Sequence, residues 1–215
     1  MAKAKTSFLC SSCGDDFPKW NGKCPSCGEW GTLSEFKVSK NKSIKTRSIR
    51  ESKLLNDVLS TNPGERIKTG MGEADRVLGG GILSGSLILL GGSPGVGKST
   101  LSLHLCSGVN VKTLYISAEE SEEQVAIRAQ RLKIDQEQLF LSGENEIDGI
   151  DNHIDRIKPE LVIIDSIQTI MNSGLDSLPG SPSQIRDCGQ RLLEISKQQN
   201  ISILIVGHVT KEGAI

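Results

Sequence analysis

One octapeptide and its flanks constrain this chain more than any other feature. Gly92-Ser93-Pro94-Gly95-Val96-Gly97-Lys98-Ser99 satisfies the pattern G-x-x-x-x-G-K-[ST] at every fixed position. The apolar run Leu87–Leu90 precedes it, and a segment of helical length through Thr100, Leu101, Leu103 and Leu105 follows, stopping near Gly108. The glycines let the backbone bend so that successive N–H groups converge on phosphate oxygens, and the helix N-terminus adds partial positive charge. Lys98 is then expected to reach the outer phosphates of a bound triphosphate, and the Ser99 hydroxyl to enter the shell of a Mg²⁺ ion bridging them. A bend that merely joins strand to helix is the bland reading, and the complete pattern in the right context argues against it.

The rest of the chain from about Leu54 repeats the same alternation. Short apolar runs at Thr113–Ile116, Gln138–Leu141, Leu161–Ile164 and Ile201–Val206 take turns with helical segments at Ser121–Leu132, Ile147–Lys158 and Gln184–Gln199. Ser121-Glu122-Glu123-Gln124 reads as a capping box opening the first of these. Pro159 stops the second, and Ile185, Cys188, Leu192 and Ile195 lie down one face of the third. Strands and helices in alternation predict an α/β fold with a mainly parallel sheet. The stretch Met171–Ser183 holds Gly174, Pro179, Gly180 and Pro182 and is too long for a tight connection, so a mobile functional loop is expected.

Ligands of such sheets bind at the carboxyl ends of the strands, so the polar residues just past each strand are the site candidates. Asp165 follows the four apolar residues Leu161–Ile164 and is the expected second Mg²⁺ ligand. Glu119 and Glu120 follow the Thr113–Ser117 strand; Glu119 is preferred as the group that activates water, although both also suit the first turn of a helix. His208 ends the last apolar strand, where it either senses phosphate or fills a structural role. A guanine-reading pattern is absent, its nearest approach being Thr210-Lys211-Glu212-Gly213, so the expected nucleotide is ATP.

Four of six cysteines cluster as Cys10-x₂-Cys13 and Cys24-x₂-Cys27, each pair followed by a glycine, Gly14 or Gly28. Four thiolates saturate a tetrahedral Zn²⁺ and leave no open position, which implies a structural site. Redox C-x-x-C pairs or an iron–sulfur cluster are the competing readings, the first disfavoured by the lack of a thioredoxin-like pattern around them. Trp20 and Trp30 are expected to pack on this ribbon, with base or partner stacking as the alternative. Clustered thiols suit a reducing compartment, and no run approaches a membrane span or a signal core, so a cytoplasmic protein with no membrane contact is expected.

Charge is asymmetric: residues 1–50 carry ten Lys+Arg against four Asp+Glu, whereas the remainder is acidic. Most of the basic excess falls in a segment without apolar period, which places a cysteine ribbon at 1–36, a basic linker at 37–53 and an ATPase core at 54–215. Aromatic residues are only 3%, so any nucleic acid would be held mainly through its backbone rather than by many stacked bases.

In this order, a Cys₄ ribbon, a basic linker and a P-loop core, the chain closely resembles the RadA (Sms) family of bacterial RecA-superfamily ATPases. The resemblance rests on Cys10 to Thr32, Gly79-Gly80-Gly81-Ile82, Gly91 to Thr100, Ser117-Ala118-Glu119-Glu120-Ser121, Asp165-Ser166-Ile167-Gln168-Thr169 and Gly207 to Gly213, and covers nearly the whole chain. It implies an ATP-driven enzyme of DNA repair and homologous recombination, a branch-migration helicase working on single-stranded and branched DNA with the RecA recombinase. It further implies Glu119 as catalytic glutamate, His208 as nucleotide sensor, and Met171–Ser183 as a DNA-facing loop with Gln184 and Arg186 at its exit. Family members form hexamers and continue through a Lys-Asn-Arg-Phe-Gly motif and a Lon-protease-like domain; neither is in this sequence, so a C-terminally incomplete core is expected. Two alternatives follow: a nucleotide-regulated module that binds DNA or RecA without motor activity, and a KaiC-like ATPase with no role on DNA, which the ribbon disfavours.

Overall fold

The computed structural model describes residues 6–37, 52, 54–60, 64–134 and 137–208. The basic linker lies almost entirely outside the described residues, as does the segment Val209–Gly213. Two compact units are present and are treated separately.

The N-terminal unit holds a three-stranded antiparallel sheet in which β1 (Thr6–Cys10) pairs with both β2 (Asp16–Phe17) and β3 (Leu33–Lys37). Its core is small: Cys10, Cys24 and Leu33 are buried, with Phe8, Cys13 and Phe17 packed against them. So little apolar burial cannot order a ribbon of this size, and a cross-link of some kind is needed. A short helix, α1 (Leu55–Ser60), follows in sequence.

The larger unit starts at Gly64. A two-stranded hairpin, β4 (Arg66–Ile67) with β5 (Ile82–Leu83), encloses the helix α2 (Gly72–Val77). Then come β6 (Leu87–Gly92), α3 (Lys98–Gly108), β7 (Thr113–Ser117), α4 (Glu122–Arg131), β8 (Leu139–Ser142), α5 (Ile147–Ile157), β9 (Leu161–Asp165), α6 (Pro182–Gln199) and β10 (Ser202–His208). The five main strands form one parallel sheet in the order β6-β10-β9-β7-β8.

Alternation divides the core into two layers. Leu114, Ile116, Val162, Ile164, Ile203 and Ile205 face α5 and α6, where Ile147, Ile150, Ile154, Cys188, Leu192 and Ile195 meet them. Tyr115, Leu161, Ile163, Leu204 and Val206 face the other way, onto Leu103, Leu105 and Cys106 of α3 and Val125 of α4. The central strands are covered on both faces, which is why they read as unbroken apolar runs.

Each long element expected from the sequence is present, with ends moved by one or two residues. The capping box is formed: the Ser121 hydroxyl accepts from the Gln124 amide, and the Gln124 side chain accepts from Ser121 N–H. The hairpin and α2 had no sequence expectation, because two-residue strands and a six-residue helix carry no readable period. The loop expected over Met171–Ser183 is shorter than that, since Pro182 and Ser183 open α6 and Met171 forms an isolated bridge with Glu146; the first half of the segment is tied down. Met171 exchanges backbone hydrogen bonds with Asn145 and Ile147, and Ser173 N–H donates to the Glu146 carboxylate at 3.0 Å.

Candidate nucleotide site and metal centre

The parallel register brings the carboxyl ends of β6, β10, β9 and β7 side by side, and the predicted residues meet there. The bend after β6 is exposed and uses left-handed backbone at Gly95 (φ 77°) and Gly97 (φ 96°), conformations that only glycine adopts cheaply. A Cβ at either would touch nothing within 4 Å, so the constraint is the backbone angle and not space. The amides of Lys98, Ser99 and Thr100 precede the first intrahelical bond, from Leu101 N–H to Gly97 O at 2.9 Å. They are the helix-end donors that suit an anion.

Lys98 is buried, and its Nζ lies 2.8 Å from the Gly92 carbonyl, 3.0 Å from the Ser93 carbonyl and 3.1 Å from His208 Nδ1. An ammonium can only donate, so His208 Nδ1 is the acceptor and the ring hydrogen sits on Nε2. That Nε2 faces Glu119 Oε1 at 3.8 Å. The same Glu119 oxygen accepts from the Ser166 hydroxyl at 2.6 Å. Ser99 Oγ donates to Asp165 Oδ1 at 3.1 Å, which sets the two expected Mg²⁺ ligands side by side. Oxygen donors of this type, a hydroxyl and a carboxylate backed by substrate phosphates, are the set that Mg²⁺ prefers.

Four groups here escaped the sequence reading. Tyr115 is fully buried in β7 and donates to Asp165 Oδ2 at 2.6 Å. Its phenol oxygen lies 3.1 Å from Ser102 Oγ on α3. Ser166 holds Glu119, as above. Arg128 of α4 forms an ion pair with Glu120. A lone tyrosine in a strand otherwise made for burial was the available signal for the first. Arg128 separates the two glutamates: Glu120 is turned toward α4, and Glu119 is turned toward Ser166 and His208.

One expectation is corrected. Gln184 is not at a DNA-facing surface: it is fully buried, and its amide is used up within the loop. Its Oε1 accepts from Asn172 N–H at 2.8 Å, and its Nε2 donates to the carbonyls of Asn172 at 3.1 Å and Ser177 at 2.9 Å. Helical spacing puts it one turn above Cys188 on the inward stripe, so burial wins over exposure. Arg186, two positions on, is exposed.

In the ribbon the sulfurs of Cys10, Cys13, Cys24 and Cys27 all lie within 4.8 Å of one another. The pairs Cys10–Cys27 and Cys13–Cys24 are 3.7 and 3.6 Å apart. Zn–S bonds of about 2.3 Å in a tetrahedron place sulfurs about 3.8 Å apart, so the spacing fits zinc. The two halves are alike: Gly14 N–H donates to Cys10 O, Gly28 N–H donates to Cys24 O, and both glycines are left-handed. Burial, and then hydrogen bonds from the neighbouring sulfurs, push the Cys13 thiol up to about 12, which a divalent cation would reverse. Trp20 and Trp30 lie on the ribbon surface, both indoles within 4 Å of where a Cβ at Gly22 would stand, and remain largely exposed. Among the described residues no helix is long and apolar enough to cross a membrane.

Comparison with known proteins agrees with both units. Residues 59–214 match the AAA domain, and residues 8–35 match the rubredoxin metal binding domain. Over its whole length the chain is 45% identical to the DNA repair protein RadA of Bacillus subtilis, 46% to that of Rickettsia bellii and 41% to that of Synechocystis sp.. It spans about half the length of these relatives, 49% of the first. Since the AAA domain match covers most of the chain and relatives more than 40% identical match it over its whole length, the chain belongs to the RadA family.

Proposed function

We propose that this chain binds ATP with Mg²⁺ at the carboxyl edge of its sheet and hydrolyses it, as the ATPase core of a DNA repair protein. The observation that carries the reading is a single connected site: Lys98, His208, Glu119 and Ser166 on one side, and Ser99 and Asp165 on the other. The domain division proposed is a ribbon at 1–36, a linker at 37–53 and the core at 54–215.

Gly92 to Thr100 wrap the phosphates with backbone amides, and Lys98 exchanges its carbonyl contacts for phosphate oxygens. Ser99 and Asp165 would hold Mg²⁺, which when bound neutralises charge on the phosphates. Glu119, fixed by Ser166, accepts a proton from the attacking water. The water oxygen bonds to the γ-phosphorus as the bond to the ADP oxygen breaks, and ADP leaves with that electron pair. His208 touches both Lys98 and Glu119, so it is placed to report whether the lysine is on phosphate or on the loop.

The finer reading is a branch-migration helicase that acts on single-stranded and branched DNA with the RecA recombinase, as a cytoplasmic homo-hexamer. It is supported by the RadA relatives, by the loop after β9 and by exposed Arg186 at the start of α6. Steady-state ATP turnover with and without single-stranded DNA tests it. Stimulation by DNA that vanishes in Lys98→Ala is expected; turnover indifferent to both would reject it.

A further inference from the structure

Asp165 has two carboxylate oxygens, and the structure gives each a separate partner. Oδ1 takes the hydroxyl of Ser99, and Oδ2 takes the phenol of Tyr115 at 2.6 Å, short enough to mark a hydrogen bond to a charged acceptor. A carboxylate has no hydrogen to give, so the phenol donates. The phenol oxygen lies 3.1 Å from Ser102 Oγ, whose single hydrogen is directed at the Ser99 carbonyl. Ser102 also lies 3.0 Å from the carbonyl of Ser99, one turn below the P-loop on the same helix. Tyr115, Ser102 and Asp165 are all buried.

We propose that Tyr115 is a positioning residue for the divalent cation: by holding Oδ2 from behind, it fixes the Asp165 carboxylate so that Oδ1 alone, beside Ser99 Oγ, faces the metal. The proposal rests on the reading of Ser99 and Asp165 as the Mg²⁺ ligands. Three observations support it beyond proximity. The contact joins β7 to β9, whose registers set Tyr115 beside Ile163 and Ser117 beside Asp165, so both side chains point to the α3 face of the sheet. Ser102 Oγ, 3.1 Å from the phenol oxygen, brings the helix that carries Ser99 against the polar end of the ring. Ser99 of α3 takes the other oxygen of the same carboxylate, so two elements hold Asp165, one at each oxygen.

Partners behind a metal ligand typically contribute about ten- to a hundredfold in metal affinity. Tyr115→Phe keeps the ring and removes only the donor. Two readouts are needed: Mn²⁺ affinity measured by electron paramagnetic resonance in the presence of ADP, and the Mg²⁺ concentration giving half-maximal ATP turnover. The expected result is a weakening of both by about tenfold, with KM for ATP nearly unchanged at saturating Mg²⁺. Loss of turnover by the same factor at every Mg²⁺ concentration, with Mn²⁺ affinity unaltered, would overturn it. Should the Phe variant not fold, Tyr115→Met, which also lacks the donor, decides the matter by the same Mn²⁺ titration: about tenfold weaker binding is expected, and affinity within about twofold of the unmutated protein overturns the proposal. Failure of the underlying reading is separable, because the unmutated protein would then bind no Mn²⁺ with ADP.

Discussion

At the residue scale the two glutamates after β7 show what geometry adds. Sequence placed Glu119 and Glu120 at the same strand end, and nothing local could choose between them. Their partners differ: Ser166 and His208 meet Glu119, and Arg128 takes Glu120. Glu119→Gln should keep nucleotide binding and lower turnover by about 10²–10³, the usual worth of a general base. Glu120→Gln should change turnover by only a few-fold, since its partner is on α4; a loss as large as that of Glu119→Gln would reverse the assignment. The bend between β6 and α3 was fully legible, because its geometry is local: eight residues, one strand before and one helix after. Tyr115 was illegible for the opposite reason. In a buried strand a tyrosine reads as packing, and only its partner fifty residues away turns it into a donor to the Asp165 carboxylate.

At the scale of elements, legibility followed length. Five strands and four helices of the core were readable from apolar runs and helical periods, whereas β4, α2 and β5 were too short to carry either. Gln184 shows how a position near a loop can be misjudged. Its distance from Cys188 already put it on the buried stripe of α6, and that stripe outweighs its place at the exit of the loop. Its amide makes three hydrogen bonds into Asn172 and Ser177. Gln184→Ala should therefore increase hydrogen exchange across residues 171–178 while leaving the sheet protected; unchanged exchange in the loop would remove the clamp. Arg186→Ala should weaken DNA binding and reduce the salt slope by about one unit if it contacts a phosphate. At the end of α3, Gly108 lies so close to Thr69 that a Cβ would fall on the Thr69 carbonyl. Gly108→Ala should cost about 1–3 kcal/mol, read from the denaturant midpoint.

At the scale of the whole molecule, two units with separate sources of order occur in one chain. The larger unit is ordered by two apolar layers on a parallel sheet, and the ribbon by four sulfurs around a very small core. Chelation of the metal, or Cys27→Ala, should melt the ribbon and leave nucleotide affinity within about twofold, since a closed structural site takes no part in phosphate chemistry. Circular dichroism and nucleotide titration on the same sample check both halves of that statement. The ribbon was legible from cysteine spacing alone, but the degree of exposure of Trp20 and Trp30 was not, because it depends on how the surface around Gly22 is built. What unites the account is the claim that one connected edge of the sheet binds a Mg²⁺-nucleotide and cleaves it. Calorimetric titration of ADP in the presence of Mg²⁺ tests it most directly. The account predicts uptake of one nucleotide per chain, lost in Lys98→Ala and retained in Glu119→Gln; uptake that is absent from the unmutated protein, or that survives Lys98→Ala, would contradict it.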